Sequence, residues 1–202
     1  MEIRRDAYLE RLMRLRFKGG VKIITGVRRG GKTYLLFNIF RNRLLESGVP
    51  SDHIIAVSLE SIENRHLRDA EALYRDVASR IVDSDEYYVM VDEIQLAEDF
   101  VDFVNGLAGM KNVDLYITGS NSRFLSSDVV TEFRGRGIEI NVRPLSFSEY
   151  MQAAGKDERE AWRDYLTYGG LPETVDLEDE DKAGYLENLI EAVYERDVVE
   201  RR

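Results

Sequence analysis

The sequence predicts an α/β protein, a parallel sheet covered by helices on both faces, followed by a small helical part. Three observations predict it. Short β-rich runs alternate with segments of helical spacing up to about residue 142, which implies crossover connections. The third run, residues 87–91 (YYVMV), is continuously apolar, as a central strand buried on both faces must be. After Pro144 no further strand is legible.

Taken in order, Val21–Thr25 (VKIIT) reads as the first strand. Residues 32–46 have helical spacing through Leu35, Leu36, Ile39, Phe40 and Leu44, and the helix stops at Ser47-Gly48-Val49-Pro50. Residues 53–59 (HIIAVSL) form the second strand. A helix over 67–82 sets Leu67, Ala70, Leu73, Val77 and Ile81 on one face. After the third strand come a helix over 97–108, a fourth strand at Val113–Thr118 and a fifth at 138–142. Phe147–Ala154, Glu158–Tyr168 and residues 181–200 then read as helices, with an acidic loop at 176–181. The expected division is a core of residues 1–143, including an N-terminal helix, and a helical lid of 144–202.

Composition narrows the function classes. The chain has 202 residues, is 44% hydrophobic and contains 3 prolines, so it can build a core and is neither fibrous nor disordered. With no cysteine it has no disulfide, no thiolate nucleophile and no cysteine zinc site, which fits a cytoplasmic protein. No apolar run is long enough to span a bilayer. The net charge of −10 argues against nonspecific coating of nucleic acid. The first fifty residues nevertheless carry 12 basic against 4 acidic side chains, which leaves a local polyanion site open.

The segment Gly26-Val27-Arg28-Arg29-Gly30-Gly31-Lys32-Thr33, continuing into Tyr34, fits G-x-x-x-x-G-K-[ST] between a strand and a helix. Glycines let the backbone curl and turn several N–H groups toward one point, where the helix also aims its positive end. Lys32 would reach the β- and γ-phosphates of a nucleotide, and Thr33 would place a hydroxyl on Mg²⁺. The third strand ends in Asp92 and Glu93, the first suited to hold Mg²⁺, the second to activate a water. After the fourth strand, Ser120 or Asn121 would contact the γ-phosphate or the water, or cap a helix. Arg134 and Arg136, flanked by glycines, are candidates for stabilising charge in the transition state, against a solvated surface pair. Magnesium is implied and no other metal is, since His53 and His66 have no spacing that suggests a joint site.

These residues resemble the prokaryotic AAA+-type P-loop ATPases, relatives of the signal-transduction ATPases with numerous domains. The matching stretches are ITGVRRGGKT at 24–33, VDEIQ at 91–95, ITGSNSRFLS at 117–126, FRGRGIEINVRPLSFSEY at 133–150 and YGGLPE at 168–173. The resemblance implies a three-layer P-loop core with a parallel five-stranded sheet ordered 5-1-4-3-2, and a helical lid. It implies that Lys32 and Thr33 bind phosphate and Mg²⁺, that Asp92 and Glu93 hold the metal and activate water, and that Ser120 or Asn121 is the sensor. It sets Arg134 or Arg136 as an arginine finger acting across a homo-oligomer. Gly170-Leu171-Pro172 is similar to the Gly-x-Pro lid motif, with Gly170 and Pro172 near the nucleotide. Members of this family are longer, so the chain, which stops inside a helix, is expected to be the ATPase part ahead of a further domain.

The reading that follows is Mg-dependent binding of ATP or ADP, with slow hydrolysis coupled to closure of the lid. A nucleotide switch without turnover and a phosphotransferase are the alternatives. No N-K-x-D run is present, which favours ATP over GTP. Nucleic acid or lipid is a weaker partner reading, resting on Arg4, Arg5, Arg11, Arg14 and Arg16 beside an apolar stripe of Leu9, Leu12, Met13 and Phe17; docking of that helix on the core is the competing one.

Overall fold

Side chains alternate between the two faces of a strand, and the apolar residues of this sheet divide by parity. The computed structural model describes residues 3–119 and 137–194. Strands β1 (Val21–Thr25), β2 (Ile54–Ser58), β3 (Tyr87–Asp92), β4 (Val113–Thr118) and β5 (Gly137–Asn141) form one parallel sheet. Their order is β2-β3-β4-β1-β5, the expected order read from the other edge. Ile23, Ile55, Val57, Val89, Val91, Leu115 and Ile117 pack with Leu73, Val77, Phe103 and Leu107. Ile24, Ile54, Tyr88, Met90, Tyr116 and Ile140 pack with Leu12, Leu35, Leu36, Phe40 and Leu44. Helices α1 (Asp6–Leu15) and α2 (residues 32–46) therefore cover one face, and α3 (Ala70–Arg80) and α4 (Phe100–Ala108) the other.

Three helices depart from their expected form. α2 is α-helical at Lys32–Tyr34 and Arg41–Glu46 but π-helical at Leu35–Phe40. The wider i→i+5 turn suits the five-residue spacing of Leu35 and Phe40, both fully buried. α3 begins at Ala70 rather than 67, because Asp69 caps it by accepting from the Ala72 N–H at 2.8 Å, and Ile62–Leu67 is a 3₁₀ turn. α4 begins at Phe100 rather than 97, after a left-handed Asp99.

By internal packing the chain divides into two units. One comprises Asp6–Gly26 and Lys32–Val142; the other comprises Met1–Arg5, Val27–Gly31 and Arg143–Arg202. The second contains α5 (Phe147–Ala154), α6 (Glu158–Tyr168), α7 (Glu173–Asp176) and α8 (Asp179–Tyr194), with a core of Leu145, Tyr150 and Ala161 to which α5, α6 and α7 contribute. Ser146 and Glu149 close a reciprocal capping box at the start of α5. The acidic stretch at 176–181 is not one loop. α7 ends in it and α8 opens in it, placing Asp179, Glu180 and Asp181 where a helix N-terminus favours negative charge.

Two of the N-terminal arginines are tied into the protein. Arg5 is 4% exposed, donates to the Arg143 carbonyl at 2.6 Å and lies 3.3 Å from Glu149. Arg11 donates to the Glu139 carbonyl at 2.9 Å. Leu12 on the same helix is fully buried in the core. No helix among the described residues is long and apolar enough to cross a membrane.

Candidate functional site

The loop after β1 curls at positions that only unusual backbone allows. Gly26 has φ +138°, and a Cβ there would lie 2.1 Å from the Val142 carbonyl oxygen, so no side chain fits. Gly31 has φ +87°, and Arg29, although not glycine, has φ +58°. Lys32 opens α2 and is 4% exposed, and its ammonium donates back to the Gly26 carbonyl at 3.1 Å. A buried ammonium in the mouth of such a loop is a fixed positive charge at the place where an anion would enter.

Thr33 and Asp92 meet although 59 positions apart, the Thr33 hydroxyl lying 2.9 and 3.1 Å from the two Asp92 oxygens it donates to. Thr118, the last residue of β4, donates to Asp92 Oδ1 at 2.6 Å and accepts from the Glu93 N–H at 3.0 Å. Asp92 is 2% exposed. Burial pushes its carboxyl above the ordinary value, opposed by the Thr118 and Thr33 hydroxyls, with neighbouring Glu93 and Glu60 adding to the rise. Glu93 is left-handed, with φ 54° and ψ 50°, and its carboxylate accepts from the Gln95 amide. Among the described residues, Gln95 Oε1 is buried with no hydrogen-bond partner.

The donor set is all oxygen, a hydroxyl and a carboxylate, and fits Mg²⁺ rather than a softer metal. The glycine loop, with its N–H groups at a helix start, fits a phosphate chain.

The remaining expected residues divide into three groups. Val27, Arg28, Arg29, Gly30 and Gly31 pack in the unit that holds the C-terminal helices. Arg29 donates to Glu173 Oε2 and to the Tyr185 hydroxyl, each at 3.2 Å, and stands 5.4 Å over the Tyr185 ring. A Cβ on Gly31 would touch Pro172 at 3.5 Å, and one on Gly170 would strike the Leu145 carbonyl oxygen at 2.3 Å. Gly170 also accepts from the Leu145 N–H at 2.7 Å. Tyr34 and Val27 are exposed. Ser120, Asn121, Arg134 and Arg136 lie outside the described residues.

Sequence reasoning missed Thr118, Gln95 and the Glu173–Tyr185 pair as members of these clusters. Thr118 lies in the polar stretch that ends the fourth strand, but the sequence assigns the sensor role there to Ser120 or Asn121 and not to it. Pairing of Val91 with Ile117 sets Asp92 and Thr118 next in line, and that register is not visible in the sequence.

An AAA domain model matches residues 18–151. An uncharacterized protein of Haemophilus influenzae is 33% identical over 205 residues, covering 98% of this chain and 51% of its own length. An uncharacterized protein of Methanocaldococcus jannaschii is 29% identical over 198 residues, covering 90% of this chain and 42% of its own length. The chain thus spans about half the length of these relatives. AMPPCP-bound DnaA from Aquifex aeolicus shares the fold, with a TM-score of 0.56, 15% identity, and coverage of 100% of this chain and 66% of that one. With its parallel sheet order and the matched span, the chain belongs to the AAA domain family and has the fold of the P-loop ATPases.

Proposed function

We propose that the chain binds Mg·ATP on the loop from Gly26 to Thr33 and hydrolyses it slowly, turning nucleotide state into a conformational signal. The observation that carries this reading is the meeting of the helix-opening Thr33 with the strand-ending Asp92 at 2.9 Å. The loop N–H groups and the start of α2 would hold the phosphates. Lys32 would exchange the Gly26 carbonyl for a phosphate oxygen. Glu93 would orient a water and take its proton as the water oxygen bonds the γ-phosphorus. The bond to the β–γ bridging oxygen then breaks, leaving ADP and phosphate. Magnesium, held by Thr33 and Asp92, supplies charge neutralisation at the phosphate oxygens. Ser120 or Asn121 would serve as sensor, Arg134 or Arg136 as a finger from a second copy, and Gly170 with Pro172 as the lid contact.

A nucleotide switch without turnover is the second reading, and the tie between Gln95 and the Glu93 carboxylate favours it. Phosphate release from Mg·ATP across a range of protein concentrations separates the two, with Lys32→Ala as the blank. Release that vanishes in the blank and climbs per molecule with concentration supports an oligomeric ATPase. Binding without release supports the switch, and absence of both binding and release overturns the proposal.

A further inference from the structure

The N-terminal ends of β2 and β3 bring together residues that have no role in the nucleotide reading. His53 precedes β2, and Asp83 and Asp85 precede β3. One ligand atom from each of the three lies within 4.8 Å of the others. In a tetrahedral zinc site with nitrogen and oxygen ligands at about 2.0–2.1 Å, neighbouring ligand atoms are about 3.4 Å apart. His53 Nε2 and Asp83 Oδ2, 3.7 Å apart, are already close to that spacing.

The histidine is the informative member, because it is buried, oriented and incompletely partnered. His53 is 9% exposed, its ring stacked on Tyr87 at 4.3 Å between centroids and 13° between planes. Its Nδ1 lies 3.3 Å from the Glu86 carbonyl oxygen, which can only accept, so Nδ1 carries the proton there. Nε2 is left without a partner at hydrogen-bond distance among the described residues and points at Asp83 Oδ2, 3.7 Å away. Nε2 and Asp83 Oδ2 thus converge on one point, where a single cation can be held by both. A backbone carbonyl fixing one ring nitrogen so that the other faces a metal is the usual outer-shell device.

The loop carrying the aspartates is held in place. The Asn112 amide donates to the Asp83 and Asp85 carbonyls, each at 3.3 Å, and the Asp85 N–H donates to Asp83 Oδ1 at 2.9 Å. That leaves Asp83 Oδ2 for a ligand. A surface cavity of about 350 Å³, lined by His53, Asp85 and Glu86, offers an entry path.

We infer that His53, Asp83 and Asp85 form a binding site for a divalent ion of the zinc class. One imidazole nitrogen and two carboxylates suit zinc and its neighbours better than Mg²⁺, and three protein ligands leave a position for water. The site ties the turn before β2 to the loop before β3. From Asp85 to Asp92 the extended chain runs about 20 Å, so the site is separate from the nucleotide loop and does not depend on its reading.

The test is titration of the whole chain with Zn²⁺, with Co²⁺ absorbance as a reporter of coordination. One ion should bind per chain. His53→Gln, Asp83→Asn and Asp85→Asn should each weaken binding by about 10-fold or more, while Asp92→Asn leaves it intact. The two aspartate variants alter exposed side chains, so they remain informative if His53→Gln fails to fold. Absence of binding by wild type, equal binding by the aspartate variants, or binding lost only in Asp92→Asn overturns the inference.

Discussion

Asp92 is a carboxyl that the fold keeps out of water. Its folded value is raised by burial, so below its unfolded value both states are protonated and the group has no effect on stability. As pH rises from the unfolded value toward the raised folded one, the unfolded state loses its proton first. Stability is lost across that window and stays lower above it. Asp92→Asn removes this penalty and keeps an oxygen for Thr118 and Thr33. Without nucleotide, the variant should melt above wild type at neutral pH, and the difference should shrink as pH falls through the carboxylate range. Thermal melts at several pH values read this, and a pH-independent difference would contradict it. With Mg·ATP the same variant should lose the magnesium dependence of binding.

β1 and β4 carry a polar device inside an apolar sheet. Lys22 is fully buried and paired with Asp114, itself 2% exposed. Asp114 also accepts from the Tyr116 hydroxyl at 2.7 Å and the Phe17 N–H at 3.0 Å, which closes the turn after α1. Burial, with Asp114 beside it, pushes the Tyr116 hydroxyl far above its ordinary value and keeps it a neutral donor. Removing one partner of a buried pair leaves an uncompensated charge. Asp114→Ala should therefore destabilise by about 3–5 kcal/mol in urea unfolding. Lys22→Met with Asp114→Leu should recover much of that loss, because two apolar groups replace the pair. A double variant as unstable as the single one would mean that the bonds to Tyr116 and Phe17, not the charge, set the cost.

For the whole molecule, a ligand that binds only the folded state stabilises it by mass action. Mg·ATP at about 100 times its dissociation constant should raise the Tm by about 5–10 °C for a chain of this size. Lys32→Ala should abolish the shift, since its ammonium is the buried charge in the loop. A shift of equal size in that variant would place nucleotide binding elsewhere.

Hydrophobic periodicity and one contiguous motif were enough to read the strand–helix alternation, the glycine loop and the acids ending β3, because each is written within a few neighbouring residues. The limits of α3 and α4 and the π-helical turn of α2 were not readable, since caps and burial of Leu35 with Phe40 decide them. Thr118 on Asp92, Asp114 on Lys22, and His53 facing Asp83 were not readable either. Each pairs side chains from separate elements, and only the order and register of the strands bring them within reach. Local pattern determines which elements form, because propensity and periodicity act over one or two turns. Which polar groups face one another is decided by tertiary packing, where burial makes every unpaired group costly.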